Sequence, residues 1–518
     1  MTEKSGQSEN FEQIKAKAKA RIEVERQTFS NEGTGSDDSS PMTDFLLDCA
    51  HSGQIGDARL FIYQYKDRYR HDHTSGRWYQ WQGHYWAEDA VFNIVAEVDN
   101  IIEIYEEETK KWAWIKIKET KQRNEKAAKE AAHNEAAYLD KIGKLQNKNY
   151  RLNVIYLSAV GEKSLGIIGN EWDQNHYLIA CPNGVIDLEK GEFRPGCPED
   201  YIKTSCPTEW LGEDEPAPRW SRFLEEVFGG DSELIAYVQR LLGYGITGLV
   251  IHHILIILWG IGRNGKGTLL EILYYVLGQL VGPIQAELLL EQKNPRSSAG
   301  PSPDIMALRG KRIVWGSETD EGRKLNAGKV KWLVGGDTLV GRVPYGKREV
   351  AFKPSHLLFL LTNFRPRVNA SDFALWERIH LIPFKFSFVD KPTDPHHRKH
   401  DLNLLEDLKK EAPAILGWLL QGFKEWKKMG LQPPAAVSEA TQQYRKEEDV
   451  IGLFISDCCV ISPNAKVQSQ ELYDEYKSWC EKEGRRPMWQ RTFGEQLKSQ
   501  YKWGKDSVIF YYGIGLKA

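Results

Sequence analysis

Four glycines and one lysine are compressed into GIGRNGKGT, residues 260–268. Glycine lets backbone N–H groups turn inward around anionic oxygens, where a side chain would block the approach. Lys266 adds a full positive charge, and a helix starting at that point adds the partial charge of its N-terminus. The spacing is Gly260, four residues, Gly265 and Lys266, with Gly262 and Asn264 inside the loop. An apolar run, ILIILW, precedes it and a helical pattern, LLEILYYVLG, follows. Strand, glycine loop, lysine and helix is the context of a P-loop that cradles the phosphates of ATP. The common pattern places Ser or Thr directly after the lysine, where its hydroxyl meets Mg2+. Here Gly267 stands in that place, so Thr268 is the expected metal ligand.

Hydrolysis at such a loop needs a carboxylate on a neighbouring strand for Mg2+ and the attacking water. In GKRIVWGSETDEG, strand-like residues end at Ser317 and Glu318 follows, with Asp320 and Glu321 beside it. Glu318 is therefore expected to combine base and metal duties. In LLFLLTNFRPRV an apolar run ends in Asn363, a neutral amide that can orient water beside a γ-phosphate without adding charge repulsion. In ALWERIHLIPF, Arg378 could reach its own nucleotide or, as an arginine finger, a neighbour's. Between these, TLVGRVPYGKREVAF reads as a hairpin carrying Arg342, Lys347 and Arg348 near its tip. Such a basic tip suits a DNA backbone in a channel.

These groups need a frame. The chain has 518 residues, enough for several domains. Hydrophobic residues make up 41%, charged residues 27%, and the net charge is −3, so any basic surface must be local. Seven scattered cysteines without a CxxC pair read as reduced thiols rather than a disulfide framework or zinc site. Residues 1–40 read as a polar disordered tail with no signal peptide. No stretch is apolar enough for a membrane span, which points to a cytoplasmic protein. An α/β region is expected over 41–215. GRWYQWQGHYWAED within it reads as a hairpin whose aromatics cover one face of a small sheet, with base stacking as the alternative. A solvated, charged helical arm is expected at 107–150, its lysines serving solubility. The nucleotide-binding α/β domain is placed at 216–390, a helical region at 391–460, and helix, helix and β-hairpin at 461–518. That last order fits a winged helix, with Lys498, Lys502 and Lys505 on its helix and wing.

GIGRNGKGT, GKRIVWGSETDEGRKLN, KWLVGGDTLVGR, LLTNFRPRV and LWERIHLIPF occur in this order. Together they resemble the superfamily 3 helicase domain of phage and plasmid replication proteins, including the poxvirus-type primase-helicases. CPNGVIDLEKGEFRPGCPEDY and VQRLLGYGITG resemble the region preceding that domain, and LYDEYKSWCEKEGRRPMWQRTFGEQL resembles the C-terminal DNA-binding segment. The resemblance covers roughly residues 55–518. It implies a P-loop, AAA+-like ATPase core, with a mixed α/β N-terminal domain and a winged-helix-like C-terminal domain. Lys266 matches the P-loop lysine, Glu318 the Walker B acid, Asn363 sensor 1 and Arg378 the arginine finger. Lys331 and Asp337 fall in an extra motif, the hairpin of Arg342 and Lys347 matches the element that tracks single-stranded DNA, and Lys331 is expected to join Arg342, Lys347 and Arg348 in binding DNA. The family implies a hexameric ring with ATP sites shared between subunits. Gly267 and Ser317 depart from the family at metal-handling positions. Many relatives carry an N-terminal primase domain. With about 40 polar residues at the start of this sequence, no such domain is expected in it, and primer synthesis is expected from a separate primase or polymerase.

Three classes of function follow. The first is an ATP-dependent DNA helicase or translocase of a phage, prophage or plasmid, acting on single-stranded and forked DNA. The second is a DNA-binding ATPase of element maintenance or defence that does not unwind. The third is a small-molecule kinase, suggested by GKGT alone, for which the arginine finger and DNA hairpin would be surplus.

Overall fold

The structure, a computed structural model, describes residues 41–292, 300–317, 321–344 and 349–517. The chain divides into two compact units. The first holds everything up to Gln174 together with Gly196–Lys203. The second holds Asn175–Pro195 and Thr204–Ala518. The segment Asn175–Pro195, which the sequence groups with the N-terminal region, thus clusters with the second unit.

In the first unit, α1 (Pro41–His51) and α2 (Gly53–Tyr65) lead into β1 (Tyr69–Asp72), β2 (Arg77–Trp81) and β3 (Trp86–Glu88). Next come α3 (Val98–Lys121), α4 (Glu125–Leu145), α5 (Lys148–Ser158) and β4 (Gly166–Ile167). The sheet order is β3-β2-β1-β4. Tyr79, Trp86 and Trp172 are buried together, so the aromatic alternation serves the face of a small sheet. The charged arm is a pair of helices, α3 and α4, with Asn124 capping α4 through the Ala127 N–H. Not all of its lysines are solvated. Lys141 is buried and pairs with the buried Asp57 at 2.8 Å. The Tyr105 and Tyr150 hydroxyls each donate to the same carboxylate at 2.8 Å. A buried charge is tolerable only with this degree of pairing.

The second unit opens with an antiparallel sheet of β5 (Leu178–Cys181), β6 (Gly184–Asp187) and β7 (Glu192–Arg194). Then follow α6 (Pro218–Phe228), α7 (Ser232–Gly245), β8 (Leu255–Trp259), α8 (Lys266–Leu277), β9 (Val281–Ile284), β10 (Ile313–Ser317) and α9 (Ala327–Val334). A hairpin of β11 (Leu339–Gly341) and β12 (Val350–Phe352) precedes β13 (Leu357–Thr362), α10 (Phe373–Trp376) and β14 (Ile379–Pro383). The central sheet has the order β14-β8-β13-β10-β9, and all its pairs are parallel. The chain is thus mixed α/β around a parallel sheet, as expected.

The unbroken apolar run in β8 has a direct cause. Ile256 and Leu258 enter one buried cluster with Phe359 and Leu361. Leu255 and Ile257 enter another with Leu358 and Leu360. Successive side chains point to opposite faces, and both faces are covered. On the first face, α7 packs against α11 (Ala412–Met429) almost backbone to backbone. A Cβ on Gly243 would lie 2.1 Å from Phe423 N, and one on Gly422 would lie 2.1 Å from Gln239 O. Only glycine permits that approach.

After β14 come the parallel pair β15 (Ser387–Val389) and β16 (His397–Lys399), then α11, α12 (Ala435–Glu448) and α13 (Val450–Cys458). The chain ends in β17 (Cys459–Gln468), α14 (Ser469–Lys482), α15 (Gln490–Gln500), β18 (Lys502–Lys505) and β19 (Ile509–Leu516). These last strands form a sheet of order β17-β19-β18 over their own core. The helix, helix and hairpin read from sequence are present, and β17 is an added strand. Among the described residues no helix is long and apolar enough to cross a membrane.

Candidate functional site

The register of the central sheet brings three strand ends into line. Trp259 at the end of β8 pairs with Thr362 of β13, and Leu361 of β13 pairs with Ser317 of β10. Ligands of open parallel sheets bind beyond such carboxyl ends, where the strand order reverses. The chain leaves β8 for β9 on the far edge, while β14 flanks β8 on its other side. A cleft of 780 Å³ lies there, lined by residues 262–268, Ser317, Thr362 and Asn363 among others. The glycine loop, the strand preceding Glu318 and Asn363, scattered over a hundred residues of sequence, therefore share one cleft.

Its glycines separate into two kinds. A Cβ on Gly260 would meet Phe384 O at 2.2 Å, and one on Gly265 would meet the Val227 side chain at 2.7 Å. Gly265 also has φ +85° as the residue before α8. The fold itself requires these two. At Gly262 and Gly267 a Cβ would have nothing within 4 Å among the described residues. No contact among those residues explains them, whereas close approach of a phosphate would.

Lys266, the first residue of α8, is buried. Its Nζ donates to Gly260 O at 2.6 Å and to Asn363 Oδ1 at 3.1 Å. An ammonium has three donors, so one is uncommitted among the described residues. Burial lowers its pKa to about 8. Asn264 is buried, and its Nδ2 has no partner among the described residues. An orphaned donor beside a lysine of this kind, with the open N–H groups of a helix start, fits a polyanion. Thr268 lines the cleft and Gly267 is exposed. Glu318 and Asp320 lie outside the described residues, and Ser317 is the last described residue before them.

Asn363 is held from behind by contacts that its own motif does not reveal. Trp259 Nε1 donates to Asn363 O at 3.2 Å, and the Arg365 guanidinium stacks 4.5 Å from the Trp259 ring. Arg365 in turn is paired with Glu447 of α12. The Phe364 N–H donates to Thr362 Oγ1 at 3.1 Å, shaping the turn that presents Asn363. Glu271 and Tyr274 of α8 also line the cleft. The i, i+3 spacing of Glu271 from Thr268 was the only sequence signal for it.

Arg378 is elsewhere. Its carbonyl accepts from Leu255 N at 2.7 Å, at the opening end of β8. The Lys266 cleft lies past the closing end of the same strand. Arg378 Nη1 donates to Ala374 O at 2.5 Å, and its buried Nε has no partner among the described residues. It lines a separate cleft of 450 Å³ with His252, His253, Glu377 and His380. Arg378 and the Lys266 cleft thus lie at opposite ends of β8.

The DNA-binding candidates are only partly brought together. The hairpin forms, with Gly341 opposite Val350. Arg342 flanks it, its N–H donating to Ser302 Oγ at 3.0 Å. Lys347 and Arg348 lie outside the described residues. Lys331 in α9 is in an ion pair with Asp372 at 3.1 Å, tying α9 to α10, whose cap Asp372 provides.

Residues 58–229 match the family described as "D5 N terminal like", and residues 446–509 match "Poxvirus D5 protein-like". The chain is 31% identical to "Putative helicase L207/L206" of Acanthamoeba polyphaga mimivirus, over 82% of this chain and 45% of that protein. It is 29% identical to "Putative helicase 184R" of Invertebrate iridescent virus 6, over 66% of this chain and 38% of that protein. The chain thus spans less than half the length of these relatives. A solved structure of the NrS-1 C-terminal region aligns at 14% identity and a TM-score of 0.38, covering 63% of this chain and 82% of that one.

Proposed function

We propose that this chain, which carries both the D5 N-terminal and the Poxvirus D5 regions of the poxvirus-type primase-helicases, is an ATP-driven motor that moves along single-stranded DNA in viral or mobile-element replication. The observation that carries the proposal is the single cleft shared by Lys266, Asn363 and the end of β10. Lys266 and the N–H groups opening α8 would hold the outer phosphates of ATP. Asn363 would orient the attacking water, and Glu318, next after Ser317, would accept its proton. Bound Mg2+ would neutralise phosphate charge, with Thr268 and Glu318 as its candidate ligands.

The placement of Arg378 supports a site shared between copies. An arginine at the far end of β8 can complete only a neighbour's cleft, which calls for a head-to-tail ring, and the family points to six members. Hydrolysis at successive interfaces would then shift the β11–β12 hairpins, with Arg342, Lys347 and Arg348, along a DNA strand. The relatives' helicase names favour unwinding as the output.

The test is ATP hydrolysis with and without single-stranded DNA, for the wild type and Lys266→Ala, read beside the mass of the assembly. DNA-stimulated hydrolysis by a ring, abolished by the substitution, is expected. Hydrolysis indifferent to DNA from a monomer would refute the proposal. Stimulated hydrolysis without displacement of a strand from a forked duplex would leave a DNA-dependent ATPase that does not unwind.

A further inference from the structure

The C-terminal sheet has two unlike faces. Tyr511 and Val467 point into the core formed with α14 and α15. Cross-strand partners share a face, and so do residues two apart. Lys466 and Lys502 both pair with Tyr512, while Gln468 and Gly504 pair with Phe510. The outer face therefore carries Phe510 and Tyr512 in the middle strand, with lysines on both flanking strands. Tyr512 is 43% exposed. Its ring lies across Gly504, where a Cβ would come within 3.3 Å, so the glycine leaves a flat floor. Lys466 Nζ sits 3.9 Å from the Phe510 ring centre and 5.6 Å from that of Tyr512. Trp503 pairs with Tyr511 and so lies on the other face, where it is 48% exposed at the sheet edge with Lys498 Nζ 4.7 Å from its ring.

The segment leading into and through β18 is strongly basic, and of its cations Lys502 lies on the outer face. Residues 485–505 contain six basic side chains (Arg485, Arg486, Arg491, Lys498, Lys502, Lys505) and one acidic, Glu495. Arg491 is paired with Glu495. Among the described residues Lys466 and Lys502 have no carboxylate partner. Asp506 lies in the β18–β19 turn, where its N–H donates to Val508 O at 3.1 Å.

We infer that the outer face of the β17-β19-β18 sheet is a stacking platform for single-stranded DNA, separate from the helix α15 that a groove-reading domain would insert into duplex. The exposed Tyr512 ring, with half-buried Phe510 beside it under the Lys466 amine, offers a flat surface on which a base can stack, and a duplex keeps its base faces stacked inside. Lysines flanking the rings supply phosphate contacts without base preference. The exposed Tyr512 ring together with the uncompensated lysines points to a strand with unpaired bases. This inference rests on the proposal that the chain acts on DNA.

The experiment uses the full chain without nucleotide. Binding of a short fluorescein-labelled oligothymidylate and of a matched duplex is followed by anisotropy at several salt concentrations. Lys466→Ala/Tyr512→Ala should weaken single-strand binding at least about tenfold and leave duplex binding within about twofold. Loss of one phosphate contact should make the salt slope shallower by about 0.7. In the wild type, an oligonucleotide carrying 5-iodouracil should photo-crosslink to the peptide containing Phe510 and Tyr512, a readout that stands even if the variant misfolds. Crosslinks confined to α15, or equal losses for both DNAs, would overturn the platform. DNA-stimulated hydrolysis with unaltered binding by a folded variant would overturn the platform alone. A wild type that binds no single-stranded DNA would overturn the motor proposal with it.

Discussion

The placement of Arg378 yields a test that no other arrangement of the same residues would pass. Leu255, beside Arg378, and Trp259, beside the P-loop, are the two ends of β8. A five-residue strand at about 3.3 Å per residue separates those ends by roughly 13–17 Å. A side chain pinned to Ala374 O at the near end does not bridge that gap. Arg378→Ala should therefore leave ATP binding to its own P-loop nearly intact and lower kcat by about 10³–10⁵, the range for removal of an arginine finger. Lys266→Ala should abolish hydrolysis through the other side of the interface. Neither variant alone turns over. When the two are mixed and allowed to exchange subunits, some interfaces join the intact Lys266 of one variant to the intact Arg378 of the other. Random equal mixing makes about a quarter of a ring's head-to-tail interfaces of this kind. The assay is steady-state phosphate release over a titration of one variant into the other, with the mixed assembly confirmed by mass. Activity should rise to a maximum near equal amounts. Confirmed mixed assemblies that stay inactive at every ratio would refute the shared site, as would an Arg378→Ala protein with wild-type kcat.

Other perturbations separate fold from ligand. Gly267→Val should keep the wild-type melting temperature while weakening ATP binding at least about tenfold, because its side chain meets only the cleft. Gly260→Ala should lower stability by about 1–3 kcal/mol through its clash with Phe384 O. Calorimetry and nucleotide titration on both proteins check this contrast. The lowered pKa of Lys266, about 8, predicts ATP affinity that is flat below that pH and falls as it rises above, by up to about tenfold per unit. The sign follows from linkage: phosphate favours the charged amine, so binding takes up a proton once the free protein has lost it. Affinity unchanged up to about pH 10, near the ordinary lysine pKa, or an identical slope in Lys266→Arg, would contradict this. In the first unit, Asp57→Ala leaves Lys141 buried without its partner. It should cost about 3–5 kcal/mol in chemical denaturation, and Asp57→Ala/Lys141→Met should recover much of that.

What the sequence reveals of this protein tracks how locally each feature is determined. The order strand, glycine loop, lysine and helix was legible because its parts are contiguous, and each glycine acts on backbone geometry within a few residues. Asn363 was legible as a polar residue ending a fully apolar run, a contrast that survives without any knowledge of its neighbours. Its supports were not. Trp259 reads as the last residue of a buried strand and Arg365 as a loop cation, and only the parallel register of β8 with β13 brings them under Asn363. Lys331 shows the opposite limit. A lysine in a basic stretch invites a DNA contact, yet Asp372, forty-one residues later, holds it in an ion pair. Lys141 is the stronger case. It sits in a run of alternating charges that reads as solvated, and the carboxylate that draws it inside lies eighty-four residues earlier. Composition and periodicity describe what a residue can do, while distant partners decide which option is used. Arg378 joins both kinds. Its motif was visible, but its place at the opening end of β8, a strand's length from the Lys266 cleft, comes from a register that the motif does not contain.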